Sequence, residues 1–164
     1  YFIESINMLI GNDVQVNVTS GSDQDVADTE ENEAILTIEN KLSVGVPTFL
    51  YRPAQLKYDS YYVDERALNA NLNYLYEDWV INLRIQVSND EISSNIAVHG
   101  DADEIIPVFS EENMQVELYK IQAQADQEPS YLAQWNIDNV YYQLSGKMDY
   151  QELRQMIEQM VMIY

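Results

Sequence analysis

The residues of this sequence that could take part in catalysis are one histidine and many carboxylates. His99 is the only histidine, and cysteine is absent. A Cys–His or Ser–His–acid system would therefore have to use His99 as its general base. His99 follows Ile96-Ala97-Val98 and precedes Gly100, a context typical of a surface or strand-end residue. No serine lies in the glycine pattern of a nucleophile elbow, so a histidine-dependent hydrolase is not expected.

The carboxylates allow two further kinds of chemistry by residue type alone. A hydrolase with paired carboxylates would need two of the 28 acidic residues at a defined separation, and nothing in the sequence marks such a pair. Two acidic runs offer the oxygen ligands that hard cations prefer: Asp23, Asp25 and Asp28 in one, Asp101 and Asp103 in the other. Neither has the spacing of an EF-hand loop. Solvated loops are expected, with weak calcium binding as the alternative, and no cofactor is predicted.

Tyrosine is abundant, with 13 residues. Its ring packs well on a half-buried sheet face while its hydroxyl reaches water, so packing is the expected role. The alternative is a surface that binds a peptide, a glycan or a partner protein, since aromatic residues concentrate at interfaces. Adjacent tyrosines on a strand point to opposite faces, which allows one of each pair to be functional. The candidates are Tyr61, Tyr62, Tyr74, Tyr76, Tyr141 and Tyr142.

The charge of the chain restricts its partners. A net charge of −20 repels phosphate backbones and anionic lipid, so nucleic acid is not an expected partner. Basic proteins, cationic peptides and divalent cations suit the charge better. Hydrophobic residues make up 46% of the chain, enough for a packed core. No apolar run reaches the roughly 20 residues that span a bilayer. Because the chain begins at Tyr1, we interpret it as a processed or trimmed fragment, which leaves room for a signal peptide or membrane anchor upstream.

The first third of the chain predicts mixed local structure. An apolar stripe over Tyr1 to Ile10 favours a helix, and alternation from Val14 to Val18 favours a short strand. The acidic segment Ser20 to Glu33 is predicted to be a mobile loop because its charges repel one another. Ala34 to Leu42 is predicted as a helix, with an extended segment as the alternative. Gly45 and Pro47 end it.

The remaining sequence alternates with a period of two, which is typical of strands. Leu56, Tyr58, Ser60 and Tyr62 are predicted to share one side of the first strand. Glu77-Asp78 joins the next two strands as a two-residue turn, and Ile137-Asp138-Asn139 forms the turn of a second hairpin. Asp149 and Glu152 predict a capping box at the start of a final helix. Its apolar stripe consists of Leu153, Met156, Ile157 and Met160.

These elements predict one α+β domain over residues 1–164. An antiparallel β-sheet of hairpins would be packed by N-terminal and C-terminal helices. Residues 1–45 would hold the N-terminal helix, strand and acidic loop. Residues 46–164 would hold the sheet and the closing helix.

Four segments of the chain resemble the bacterial family named domain of unknown function 4367. They are Pro53-Ala54-Gln55-Leu56, the hairpin from Tyr74 to Val87, the stretch from Trp135 to Gly146 that ends in Leu144-Ser145-Gly146, and Tyr150-Gln151-Glu152-Leu153. The resemblance covers roughly Val46 to Met160. The acidic insert from Ser20 to Glu33 falls outside it.

The resemblance implies an extracytoplasmic domain of Gram-positive bacteria, tethered by a single upstream transmembrane helix. Some relatives carry an anti-sigma-factor-like cytoplasmic segment, and others resemble the carrier fold of lipoprotein-sorting proteins. The family has no established catalytic residues, so none is carried over to this chain.

Three functions follow in order of preference. The first is a non-enzymatic, extracytoplasmic sensing or interaction domain that binds an unknown protein, peptide or envelope component. The second is a carrier of an apolar ligand such as a lipid, which would require a cavity between the sheet and the helices. The third is a carboxylate-based hydrolase.

Overall fold

The computed structural model describes residues 22–88, 101–111, 114–121 and 128–162, except for the side chains of residues 22–27. Within these ranges the chain is α+β, as predicted, with helices at both ends of a set of antiparallel strands. The helices are α1 (Ser22–Leu42) and α2 (Tyr150–Glu158). The strands are β1 (Pro47–Phe49), β2 (Leu56–Asp64), β3 (Asn69–Tyr76), β4 (Trp79–Val87), β5 (Glu104–Pro107), β6 (Gln115–Ile121), β7 (Ser130–Ile137), β8 (Val140–Gly146) and β9 (Met160–Met162).

Seven strands form one antiparallel sheet in the order β2-β3-β4-β8-β7-β6-β5, and β1 pairs with β9 in a second, two-stranded sheet. Both predicted hairpins are confirmed. Two-residue turns join β3 to β4 and β7 to β8. The first residue of each turn, Glu77 with φ 56° and Asp138 with φ 52°, is in the left-handed region, as tight hairpin turns require.

One face of the large sheet forms the core, because every second side chain of its central strands is apolar. Tyr74, Leu83, Trp135 and Leu144 all lie on this face with at most 5% of their surface exposed. The Tyr142 hydroxyl, also buried on this face, donates a 2.6 Å hydrogen bond to the carbonyl of Gly45, which fixes the chain directly after α1 against the sheet.

The predicted acidic loop from Ser20 to Glu33 is wrong, since α1 begins at Ser22. Charge repulsion alone does not stop a helix: the segment contains no proline or glycine from Ser22 to Leu42, and glutamate is a good helix former. Tertiary contacts stabilise the helix: Glu31, inside the acidic segment, is buried and paired with Arg52, and Ala34, Ile38 and Leu42 are buried in the continuation of the same helix. The predicted helix from Ala34 to Leu42 is confirmed. It ends before Ser43, which adopts φ 54° in the manner of a left-handed helix cap.

The predicted side-chain pattern of β2 fails halfway along the strand. A register shift between Tyr58 and Ser60 inserts an extra residue opposite β3, and such a β-bulge reverses which side chains point to each face. Tyr61 therefore shares the core-facing side with Tyr58, since it pairs with buried Leu72. Tyr62 points to the opposite face.

The C-terminal prediction holds in part. Asp149 caps α2 as expected, accepting a 3.1 Å hydrogen bond from the Glu152 backbone N–H. The reciprocal half of the capping box is replaced, because the Glu152 carboxylate accepts a 2.8 Å hydrogen bond from the Tyr51 hydroxyl. Met160 is buried but belongs to β9, where it pairs with Phe49, so the helical stripe is one residue shorter than predicted.

Three predictions lie outside the described residues: the helix from Tyr1 to Ile10, the strand from Val14 to Val18, and the placement of His99. Among the described helices, none combines the length and apolarity needed to cross a membrane.

Gly146 should be intolerant of a side chain. Its φ is 146°, and a Cβ atom there would lie 2.6 Å from the Val80 carbonyl oxygen and from Ile81 Cδ1. Overpacking and backbone strain each cost on the order of 1–3 kcal/mol, so Gly146→Ala should lower the free energy of unfolding by about 3 kcal/mol, measured by urea denaturation. The control is Ser145→Ala on the same strand, which should change it by less than about 0.5 kcal/mol. Equal effects would contradict this role for Gly146.

Candidate functional site

A cleft of about 620 Å³ opens between α1 and the segment 47–56 that follows it. We call it the α1 cleft. Its volume falls within the range of roughly 300–1,000 Å³ that is usual for small-ligand sites. The wall formed by α1 consists of Asp28, Asn32, Ile35, Leu36 and Glu39, and Glu31 of α1 lies in the floor. The opposite wall comes from segment 47–56, and Tyr74 of β3 contributes to the floor.

Helical spacing brings the α1 wall together. Asp28, Asn32, Ile35 and Glu39 are separated by three or four residues, so they lie along one stripe of the helix. This stripe runs beside the one that buries Ala34, Ile38 and Leu42 against the sheet. Packing of the apolar stripe therefore fixes which side chains of α1 face the cleft.

The opposite wall is held by the C-terminal end of the chain. β1 pairs with β9, with Thr48 opposite Val161. The Leu50 backbone N–H donates a 3.2 Å hydrogen bond to the Gln159 carbonyl. The Tyr51 hydroxyl is bound to Glu152 on α2. Residues more than a hundred positions away in sequence thus position the loop that carries Arg52.

The floor of the cleft is a cluster of three hydrogen-bonded polar side chains, Glu31, Arg52 and Tyr74. Nη1 of Arg52 lies 2.8 Å and 3.1 Å from the two carboxylate oxygens of Glu31. The Tyr74 hydroxyl donates a 2.7 Å hydrogen bond to the same carboxylate. The Arg52 guanidinium also lies 5.4 Å from the centre of the Tyr74 ring, a cation–π distance.

Burial and charge shift the pKa values in this cluster. Burial, followed by the charge and hydrogen bond of Glu31, raises the pKa of Tyr74 well above its ordinary value. Burial acts to lower the pKa of Arg52, but the charge and hydrogen bond of Glu31, together with smaller electrostatic contributions from Tyr74 and Asp28, outweigh it, so the pKa of Arg52 is raised overall. Both shifts keep the proton on its residue at neutral pH, so Arg52 stays a cation and Tyr74 stays a neutral phenol.

Glu39 places another carboxylate, itself partly buried, in the α1 cleft. Burial raises its pKa, while a hydrogen bond from the Val46 backbone N–H acts in the opposite direction. A raised carboxylate pKa means that the surroundings disfavour the charged form. A cation placed beside Glu39 would relieve that penalty.

Apolar side chains complete the cleft. Ile35 and Leu36 on α1 face Pro47, Phe49 and Leu56 on the other wall. Leu36 has 49% of its surface exposed. The α1 cleft therefore combines acidic groups with an uncovered apolar surface.

The six candidate tyrosines do not form one surface. Tyr76 and Tyr142 are buried in the core, and Tyr74 is buried with its hydroxyl in the cleft floor. Tyr61 and Tyr62 are exposed at 43% and 57% on opposite faces of β2. Tyr141 is half-buried on the sheet face opposite the core.

The candidate metal-binding aspartates are also dispersed. The side chains of Asp23 and Asp25 lie outside the described residues, and Asp28 lines the α1 cleft. Asp101 is exposed, and the Asp103 carboxylate accepts a 2.7 Å hydrogen bond from the Lys120 backbone N–H. Within the described part of the chain, no three acidic or histidine side chains converge in a metal-binding arrangement.

Glu104, which follows Asp103 in sequence, is engaged elsewhere. Its carboxylate pairs with Arg154 and accepts a hydrogen bond from the Tyr150 hydroxyl. These contacts join β5 to α2, so Glu104 contributes to the packing of the closing helix.

A carrier of an apolar ligand would require a cavity between the sheet and the helices. The interface between α2 and the sheet is instead close-packed. Leu153, Met156 and Ile157 of α2 each have at most 2% of their surface exposed. The gap that remains beside Ile81 and Leu144 is too small to hold a water molecule.

Comparison with known proteins identifies the family of the chain. The model of the family described as Domain of unknown function (DUF4367) matches residues 46–160. The chain belongs to this family. No curated protein matches the chain. The sequence resemblance from Val46 to Met160 is thereby confirmed.

The α1 cleft straddles the boundary of the family match. Arg52 and Tyr74 lie within residues 46–160, whereas Asp28, Glu31 and Glu39 on α1 precede them. Of the cleft residues, sequence reasoning selected Tyr74 and Asp28 and missed Glu31, Arg52 and Glu39. The signal that could have found them is helical spacing, since Glu31 is three residues before Ala34 and seven before Ile38, on the buried face.

The Glu31–Arg52 pair should couple strongly in stability. Arg52→Met leaves the Glu31 carboxylate buried without its cation, which should cost about 3 kcal/mol in the free energy of unfolding. Glu31→Gln should cost less, because Arg52 is 33% exposed and can reach water. A double-mutant cycle by urea denaturation should give a coupling energy of about 2 kcal/mol. The control is Glu33→Gln, an exposed carboxylate on the same helix. If the losses of unfolding free energy in the two single variants simply add up to the loss in the double variant, the coupling is contradicted.

Proposed function

We propose that this chain is a non-enzymatic sensing or interaction domain that lies outside the cytoplasmic membrane, tethered by a helix upstream, and that it acts by binding a ligand in the α1 cleft. Membership of an uncharacterised family supports no more specific activity. The mixed polar and apolar lining of the cleft is typical of binding sites, which are mostly apolar with a few placed polar groups.

The observation that carries the proposal is that the polar side chains in the floor of the cleft are hydrogen-bonded to one another. Glu31 is hydrogen-bonded to both Arg52 and Tyr74. A general acid or base needs a pKa near the working pH, but the pKa values of Arg52 and Tyr74 are shifted away from neutrality. Arg52 and Tyr74 are therefore suited to shaping a binding surface rather than to transferring protons.

A carrier of an apolar ligand is the second candidate, favoured by the volume and apolar wall of the α1 cleft. An acyl chain in the cleft would lie against the Glu31–Arg52 ion pair, and burying those charges beneath a hydrocarbon is costly. The close packing under α2 also leaves no room for such a chain at that interface. Binding of a polar or charged ligand is therefore preferred.

The location of the domain is testable by cysteine labelling of the full-length natural protein in its own cells. Val80→Cys introduces a thiol at a position that is 57% exposed, and Ala133→Cys introduces one at a position with 0% exposure. A membrane-impermeant maleimide should label the Val80→Cys protein equally in intact and lysed cells, above the background of the unsubstituted protein. The Ala133→Cys protein should stay unlabelled in both, which reports that the fold is intact. Labelling of the Val80→Cys protein only after lysis would contradict the proposed extracytoplasmic location.

A further inference from the structure

We propose that the ligand of the α1 cleft is a basic segment of a partner polypeptide, in which a lysine or arginine side chain pairs with Glu39 while a neighbouring apolar side chain packs on Leu36. This inference rests on the proposed function and names the chemical class of its ligand.

Charge complementarity is the first argument. Three carboxyl groups, those of Asp28, Glu31 and Glu39, line the cleft with one guanidinium, that of Arg52. Glu31 is already paired with Arg52, and the charge of Asp28 also acts on Arg52. The excess of negative charge in the cleft attracts a cation. The net charge of −20 on the whole chain extends that attraction and speeds the approach of a basic partner.

The position of Glu39 identifies where the cation binds. Its carboxylate accepts a hydrogen bond from the Val46 backbone N–H, and a carboxylate has about four lone-pair sites in all. Acceptor capacity therefore remains for an ammonium or guanidinium group. Because the side chain is partly buried, the ion pair would be screened by solvent less than one on the open surface.

The exposed apolar wall argues for a polypeptide rather than a bare cation. Leu36 lines the cleft and remains 49% exposed. A small amine can neutralise Glu39, but only a ligand with an adjoining apolar group also removes Leu36 from water. Covering this exposed leucine surface therefore adds a hydrophobic contribution to binding.

The same charges disfavour other macromolecules. Nucleic acid and anionic lipid surfaces are repelled by a chain with 28 acidic and 8 basic residues. A second copy of this chain carries the same net charge of −20, which opposes self-association. A basic polypeptide satisfies both the acidic and the apolar parts of the cleft.

The test is titration calorimetry of the 164-residue chain with synthetic peptides at low salt. The probe is an acetylated and amidated peptide with the sequence Gly-Lys-Leu-Lys-Leu-Gly, and the matched peptides replace both lysines with glutamine or with glutamate. The lysine peptide should bind, while the glutamine and glutamate peptides should bind at least about tenfold more weakly. Binding of the lysine peptide should weaken as salt is raised from about 50 to 200 mM.

Two pairs of variants locate the binding site. Glu39→Gln and Glu33→Gln each remove one negative charge from α1, but only Glu39 lines the cleft. Leu36→Gln and Leu50→Gln each remove an exposed leucine, but only Leu36 lines the cleft. Glu39→Gln and Leu36→Gln should each weaken peptide binding by about fivefold to tenfold, a range typical of single partly exposed contacts. The control variants Glu33→Gln and Leu50→Gln should each change peptide binding by less than about twofold.

Several results would overturn the inference. Equal losses for Glu39→Gln and Glu33→Gln would mean that the peptide responds to net charge and not to the cleft. Binding of n-hexylamine as tightly as the peptide would assign the cleft to a small amine. No binding of the lysine peptide would refute the ligand class alone, because the labelling experiment decides the location of the domain independently.

Discussion

The burial of the Glu31 carboxylate is the constraint on which the arrangement of α1, the following loop and the sheet depends. Only 6% of Glu31 is exposed, and a charge removed from water to this extent is tolerated only when it is paired and hydrogen-bonded. Arg52 from the loop and Tyr74 from β3 supply those partners. One side chain thus links three elements that are separate in sequence, and the α1 cleft exists because they meet there.

The second requirement of the cleft is a wall that does not move with respect to α1. A loop of six residues between β1 and β2 would not hold one conformation by itself. The pairing of β1 with β9 and the Tyr51–Glu152 hydrogen bond attach it to the end of the chain. The family match includes β1, Tyr51, Glu152 and the first residue of β9, whereas the acidic wall on α1 precedes it. The family portion therefore supplies the scaffold and the Arg52 and Tyr74 side chains of the floor, and the N-terminal helix supplies the carboxylates.

Elements that depend on neighbouring residues were predicted correctly from the sequence, whereas elements that depend on distant contacts were not. The Glu77-Asp78 hairpin and the Asp149 cap depend on neighbouring residues, and both are confirmed. The predicted loop from Ser20 to Glu33 is wrong because the helix there is stabilised by contacts with distant residues, which the local charge pattern does not reveal. The pattern of β2 failed at Ser60 because alternation does not reveal a bulge, which depends on the pairing with β3.

The sequence by itself determined the antiparallel α+β class, the two tight hairpins, the closing helix and the membership of the family, because periodicity, turn residues and caps are local properties of the chain. Only the tertiary structure decided that Tyr74 is buried beside Glu31 and Arg52, and that Glu39 and Leu36 share one cleft. The physical reason is distance along the chain. Tyr74 lies 43 residues from Glu31, and Tyr51 lies 101 residues from Glu152. Contacts of that range form only when the apolar faces of the helices pack on the sheet, and no local pattern encodes them.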